Sequence, residues 1–272
     1  MIRVFPRRTS FTPKDPYAFV GDPPMWRPPA DEVHISCTFT WDRDEAFRLR
    51  QAWAQYYPRV YVGGPAIARC DRDFLPGMYI KAGVTFTSRG CNNNCPWCLV
   101  PSREGKLRET KDFAAGHIIN DNNLLQCSSS HIERVFDMLR SRSRGAVFSG
   151  GFESRLVNDE TIRLLKSIRV AEVFLAADTS KSLIPLKEAV KRLEFLVLNS
   201  NKLRCYVLIG MDETLQEAER RLRSVWDIGC LPFSQLYQPP DKFIKYSKEW
   251  RSLNRTFSRP AATRTLMKEL GL

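Results

Sequence analysis

The sequence predicts an α/β fold, a partial (βα)6 TIM-like barrel with a short βαβ-like extension before it and a helical extension after it. Three observations carry this. From residue 79 onward, short β-branched or apolar runs alternate with longer helical patterns, the signature of repeated βα units around a parallel sheet. The helical stretches are long enough to serve as right-handed crossovers between parallel strands. With 272 residues, 43% of them hydrophobic and 26% charged, the chain can bury a core large enough for such a barrel.

The elements follow in chain order. Residues 1–30 hold Pro6, Pro13, Pro16, Pro23, Pro24, Pro28 and Pro29 and read as an extended arm, draped over the body or loose in solvent. Residues 31–75 form the βαβ-like unit: VHISCTF (33–39), a helix from Asp44 to about Tyr57, and RVYVGG (59–64). Gly63-Gly64-Pro65 at its end reads as a strand-to-loop exit rather than a phosphate-binding turn. The barrel occupies residues 76–240, with strands MYIKAGVTFT (78–87), HII (117–119), GAVFS (145–149), AEVFLAA (171–177), LRCYVLI (203–209) and PFSQLYQ (232–238).

Helices are expected between these strands. In Ser130 to Arg140, Ile132, Val135, Phe136 and Leu139 recur at helical spacing behind a serine cap. Asp159 to Ile168, Leu183 to Phe195 and Leu215 to Trp226 complete the set. Residues 241–272 are the basic extension. Within it, Asp241 to Arg259 reads as an amphipathic helix with Phe243, Tyr246, Trp250, Leu253 and Phe257 on one stripe and lysines and arginines on the rest. That basic face either tracks a phosphate backbone or is simply solvated.

No apolar run approaches the ~20 residues that a membrane-spanning helix needs, and the N-terminus has no apolar stretch behind its basic residues, so a cytoplasmic protein without a membrane partner is expected. The formal net charge of +12, from 42 Lys and Arg against 30 Asp and Glu, makes a nucleic acid or nucleotide partner plausible alongside a merely basic surface. Three of the eight cysteines crowd into residues 91–98 while Cys37, Cys70, Cys127, Cys205 and Cys230 stand singly, a pattern that favours a metal site in a reducing compartment over a disulfide framework.

The chemistry concentrates in Thr87-Ser88-Arg89-Gly90-Cys91-Asn92-Asn93-Asn94-Cys95-Pro96-Trp97-Cys98, in the loop after the first barrel strand. A C-x3-C-x2-C run can grip three corners of an iron–sulfur cube and leaves the fourth iron without a protein ligand. Structural zinc is the rival, but it wants four closed ligands, and only His117, His131 and Cys127 lie downstream as candidates.

With Gly90 before the first cysteine and Trp97 before the last, this loop resembles the hallmark of the radical SAM superfamily, and the resemblance spans roughly residues 78 to 240. It is closest in flavour to the methylthiotransferase and cobalamin-dependent branch. However, the chain has no D-x-H-x-x-G motif, no room for a cobalamin domain and no N-terminal cysteine trio for a second cluster. The resemblance implies that Cys91, Cys95 and Cys98 ligate a 4Fe–4S cluster whose open iron takes the amino and carboxylate groups of S-adenosylmethionine. It also implies an electron donor such as flavodoxin or ferredoxin, and reductive cleavage to a 5′-deoxyadenosyl radical.

The same resemblance assigns roles along the strand ends. Trp97 packs near the adenine. Asn120-Asp121-Asn122-Asn123 stands where relatives hold the methionine amino group, with Asp121 and Asn122 the candidate contacts and a polar helix-capping turn the plain alternative. Ser149-Gly150-Gly151-Phe152-Glu153-Ser154-Arg155 puts Glu153 and Arg155 at the barrel mouth, to clamp the amino and carboxylate ends, or to form an ordinary βα turn. Asp178 accepts from the ribose hydroxyls or caps a helix. Ile209 and Gly210 offer backbone contacts to the adenine, and Gln235 and Tyr237 are candidate substrate contacts. No catalytic acid or base stands out. The expected function is radical modification of a nucleic acid base or nucleotide, with a peptide or small metabolite as the alternative substrate and a noncatalytic zinc-containing nucleic-acid-binding module as the alternative class.

Overall fold

A computed structural model describes residues 1–67, 75–197 and 202–271, so Cys70 lies outside the described residues. The chain divides into two units: Met1–Val84 with Pro240–Phe243, and Thr85–Pro239 with Ile244–Leu272.

The first unit is a four-stranded parallel sheet. Its strands are β1 (Ile2–Phe5), β2 (Ala18–Val20), β3 (Val33–Ser36) and β4 (Val60–Gly63), in the order β2-β1-β3-β4, and helix α1 (Arg43–Ala54) crosses over between β3 and β4. Ala46, Leu49 and Trp53 of α1 pack on Ile2, Val4, Val33 and Ile35, removing nearly all of that apolar surface from water. The expectation of an extended arm over residues 1–30 changes at Ile2–Phe5 and Ala18–Val20, which are strands of this sheet. β1 is buried along its whole length between β2 and β3, and the proline-rich stretch that follows is tied down by the Trp53 indole N–H to the Gly21 carbonyl (3.1 Å) and the Tyr57 hydroxyl to the Pro28 carbonyl (2.8 Å).

From Val84, the last residue of the Met1–Val84 stretch, the chain runs β5 (Val84–Thr85), β6 (Ser88–Arg89), α2 (Val100–Arg103), β7 (Arg108–Glu109), β8 (Ile118–Ile119), α3 (Ser129–Arg140), β9 (Ala146–Phe148) and α4 (Asp159–Lys166). It continues through β10 (Val170–Ala176), α5 (Leu183–Arg192), α6 (Glu194–Val197), β11 (Leu203–Ile209), α7 (Leu215–Asp227), β12 (Leu231–Leu236), α8 (Lys248–Phe257) and α9 (Pro260–Glu269). Six of the strands form one parallel sheet in the order β5-β8-β9-β10-β11-β12, so each unit of the chain adds its strand to the same growing edge.

One face of this sheet is covered. Val173, Leu175 and Ala177 from β10 and its exit, with Cys205, Val207 and Ile209 from β11, join Val135 and Phe136 of α3, Leu164 and Leu165 of α4, Leu186 and Ala189 of α5, and Leu222 and Val225 of α7 in a single core. The intervening residues face the other way. Phe174 stacks on Tyr206 at 4.5 Å, and the Arg204 guanidinium lies 4.8 and 5.0 Å from the Phe174 and Phe233 rings. Helix ends are locally specified. α7 starts at a capping box in which the Thr214 hydroxyl accepts from the Glu217 N–H and the Glu217 carboxylate accepts from the Thr214 N–H (2.8 Å).

Two sequence expectations change in extent. The ten-residue first strand contracts to Val84–Thr85, because the chain turns through glycines with positive φ at Gly77 and Gly83 before it extends. The helix expected from Asp241 begins only at Lys248. The Gln238 amide grips both the N–H and the carbonyl of Ile244 (2.8 and 3.0 Å), which holds the backbone out of the helix, and Tyr246 lies ahead of the first turn. Trp250, Leu253 and Phe257 do pack into the core, as their spacing requires.

Candidate functional site

The cysteine-bearing segment is an excursion closed at its base by a two-residue antiparallel ladder, Ser88 opposite Glu109 and Arg89 opposite Arg108. Gly90 makes the closure possible. Its φ is +79°, and a Cβ there would stand 2.2 Å from the Lys106 carbonyl oxygen. Beyond it, the Cys91 N–H donates to Gly105 (3.1 Å) and the Leu107 N–H to the Asn92 side chain (3.2 Å).

Cys91, Cys95 and Cys98 are free and partly exposed, whereas Cys37, Cys127, Cys205 and Cys230 are free and buried. Burial pushes the Cys95 thiol up, and the Cys98, Asp178, Cys91 and Glu153 charges push it further. Burial likewise raises Cys98, with Cys91 among its further causes. Cys95 and Cys98 thus lie in an electrostatic neighbourhood that disfavours their free thiolates and would be relieved by a bound cation. Cys127, the rival ligand, is pushed up to about 11, chiefly by burial.

Beside Cys91 lies a cage of amides. Glu153 Oε2 accepts from Asn93 Nδ2 (2.9 Å), Asn123 Nδ2 (2.8 Å) and Gln126 Nε2 (3.1 Å), and its other oxygen pairs with Arg155. Burial raises the Glu153 carboxyl, but these four donors outweigh it and hold the group below the usual carboxylate range, hence ionised. The cage reaches the loop directly. The Gln126 side-chain oxygen accepts from the Asn92 N–H (2.8 Å), and the Asn93 N–H donates to Cys91 Sγ (3.4 Å). Asn123 Oδ1 is buried with no partner. Arg155 is exposed and closes onto Glu153 instead of standing apart from it.

Asp121 has a different place from the one expected. It is 1% exposed, and its carboxylate accepts from the Thr87 N–H (2.6 Å), the Thr87 hydroxyl and the Ser88 hydroxyl (2.8 Å). It therefore braces the backbone at the foot of the cysteine excursion. Behind it the buried His131 ring contacts the Thr87 hydroxyl (3.2 Å). Asn122 donates to Glu104 (2.7 Å), which also accepts from the Gly90 N–H (3.1 Å), so it too secures the loop. Gly150 is pressed against this turn: a Cβ would meet the Asp121 carbonyl oxygen at 1.7 Å. The neighbouring Ser149 hydroxyl donates to Asn120 Oδ1 (3.0 Å).

At the far end, the Trp97 indole N–H donates to Asp178 (3.2 Å), whose second oxygen accepts from the Leu208 N–H (2.9 Å). Trp97 and Asp178 are thus joined, tying the excursion to the ends of β10 and β11. Burial raises the Asp178 carboxyl above its ordinary range against those two hydrogen bonds and the nearby Arg221. Arg221 is itself buried, bonded to the Ala177 and Leu208 carbonyls (3.1 and 2.9 Å) and to both Glu213 oxygens (2.7 Å each). Ile209 is fully buried, and Gly210, φ +81°, lies under the Tyr246 ring, whose hydroxyl donates to the Tyr237 and Gly210 carbonyls (2.7 and 3.1 Å). Gln235 is exposed on β12 and Tyr237 is half-buried.

Of the residues expected at the site, Glu153 lies in the amide cage beside Cys91 and Trp97 is bonded to Asp178. The expected set did not include Asn93 and Gln126, whose signal was a concentration of amides around the cysteines, or Glu104 and Tyr246, which secure the Gly90 N–H and the Gly210 carbonyl and carry no local signal. Among the described residues, no group of three or more His, Cys, Asp or Glu side chains is assembled around a single metal ion. The donor set fits a cluster better than an ion. It supplies three thiols from one short loop and no histidine, because His131 is already engaged inside the core. No family model, no curated protein and no solved structure matches the chain.

Proposed function

We propose that the protein is a radical SAM enzyme in which Cys91, Cys95 and Cys98 hold a 4Fe–4S cluster, and that it modifies a nucleic acid base or nucleotide. The observation that carries the first half is the thiol arrangement: the only partly exposed cysteines among those described share one loop beyond the C-terminal ends of parallel strands, the edge where such sheets bind ligands. When bound, the cluster would supply the electron that cleaves S-adenosylmethionine to a 5′-deoxyadenosyl radical, with flavodoxin or ferredoxin as donor.

The finer fold belongs to the same reading. A sheet that grows at one edge, with its helices on one face, is wound singly, and its natural twist curls it into a partial barrel around the Phe174–Tyr206 face. Within it, ionised Glu153 seats the cationic amino group of S-adenosylmethionine, and Arg155 its carboxylate. Trp97 and Asp178 sit at the adenine and ribose end, while Asp121 and Asn122 act on the loop instead of the ligand. The net charge of +12 supports the nucleic acid half.

Anaerobic reconstitution tests the class. A brown protein with about four irons per chain that forms 5′-deoxyadenosine on reduction, lost when any of the three cysteines is replaced by alanine, is the expected result. A colourless protein that binds zinc through the same cysteines and forms no 5′-deoxyadenosine would overturn it. Mass change in a peptide or small metabolite, with none in nucleic acid, would retain the chemistry and reject the substrate.

A further inference from the structure

We infer that the outer face of α8 is a docking surface for the phosphodiester backbone of a nucleic acid, which deepens the substrate half of the proposed function and rests on it. The face is built by helical spacing. Lys248, Arg251 and Arg255 stand three and four residues apart, which at ~100° per residue places them within an arc of about 60°. Arg259 follows at the junction with α9 and Lys245 precedes the helix, and all five side chains are exposed. Residues 245–271 contain seven basic residues against two acidic ones, Glu249 and Glu269. Glu249 lies about 100° around the helix from Lys248, and its carboxyl is lowered first by hydrogen bonding with Ser247 and only lastly by the Arg251 charge.

Among the described residues, Lys245, Lys248, Arg251, Arg255 and Arg259 enter no ion pair, although arginines elsewhere in the chain are paired repeatedly, as in Arg163–Glu133 and Arg192–Asp159. Holding like charges on one helix face costs a few tenths of a kcal/mol for each i,i+4 pair. A polyanion removes that cost and gains from releasing its own counterions. Three of the five are arginines, whose planar forks suit phosphate oxygens.

The rest of the helix decides between a polyanion and an anionic membrane. A helix that lies in a membrane surface needs a free apolar face to insert. Here that face is occupied: Trp250 and Leu253 pack on the core, Phe257 is fully buried, and the Ser234 hydroxyl donates to the Asn254 carbonyl (3.0 Å), fastening the helix to β12. Only the cationic face remains, which suits a partner that offers charge without an apolar phase.

Full-length protein would be titrated into fluorescently labelled 20-nucleotide single-stranded RNA, single-stranded DNA and duplex DNA between 50 and 200 mM KCl, beside the variant Arg251→Gln, Arg255→Gln, Arg259→Gln. The expected result is salt-dependent binding whose slope of log K against log salt is shallower by about 2 to 3 in the variant, at ~0.7–0.9 for each phosphate that is no longer neutralised. Binding with an unchanged slope, no binding at 50 mM salt, or equal arginine-dependent binding to vesicles rich in phosphatidylserine would overturn the inference. The variant should keep wild-type circular dichroism and iron content. Oligonucleotide binding is read without S-adenosylmethionine, so a protein that binds but makes no 5′-deoxyadenosine would separate failure of the radical reading from failure of this one.

Discussion

Replacing Asp121 with alanine should loosen the foot of the cysteine excursion. The carboxylate satisfies three donors in a place closed to water: the Thr87 N–H, the Thr87 hydroxyl and the Ser88 hydroxyl. Without it, the Thr87 hydroxyl can turn to His131 Nε2, 3.2 Å away, but the Thr87 N–H and the Ser88 hydroxyl lose their acceptor. Each buried donor left unpaired costs about 1–3 kcal/mol. Part of this is offset, because burial raises the Asp121 carboxyl and the alanine removes a desolvated acid. The balance is a loss of about 2–4 kcal/mol, which at about 2 kcal/mol per molar in urea lowers the unfolding midpoint by about 1 M or more. Asp121→Asn, which keeps one acceptor for the Thr87 N–H, should lose about half as much. Midpoints from equilibrium urea unfolding, with iron content after reconstitution as a second readout, check both. An alanine variant that unfolds with the wild type, or an asparagine variant that falls below the alanine one, would refute the bracing role.

Two more outcomes follow from the same region. Gly90→Ala puts a Cβ 2.2 Å from the Lys106 carbonyl oxygen at a φ of +79°, so the excursion cannot close. Iron incorporation should fall at least tenfold while circular dichroism stays near wild type, and a variant with full iron content would contradict the closure described above. His131 is depressed mainly by burial, with Glu109 and Asp121 opposing and Arg134 assisting. The unfolded chain therefore binds a proton near pH 6.5 that the folded state refuses, so stability should decline as pH falls below about 6.5, by at most ~1.4 kcal/mol per pH unit, until the folded ring protonates. His131→Gln should flatten that part of the profile in pH-dependent urea unfolding, and superimposable profiles would exclude the histidine as its source.

Much of the second unit could be read from residues alone because its signals are local. The apolar runs at 171–177 and 203–209 return as β10 and β11 within a residue, since a strand covered on one face by helices must be apolar at every second position and tolerates aromatics such as Phe174 and Tyr206 on the other. The serine cap ahead of α3 is equally local and falls at Ser128. β1 was not legible. Four residues before Pro6 carry no periodicity, and Ile2–Phe5 becomes a strand only because β2 and β3 bond to it from both sides. Tyr246 likewise reads as a helical residue until the Gln238 amide takes both polar groups of Ile244 and withholds them from a helix.

The sequence by itself determined that three cysteines spaced C-x3-C-x2-C follow the first strand of a parallel α/β sheet, because cysteine spacing and strand periodicity are short-range properties of the chain. Only the tertiary structure decided which polar groups face those cysteines. Glu153 lies sixty residues from Asn93 and Asp121 thirty-four from Thr87, and both are acidic residues in polar turns. One is surrounded by amides beside Cys91 and the other is buried under the backbone of the loop, a difference set by which strand ends the sheet brings together.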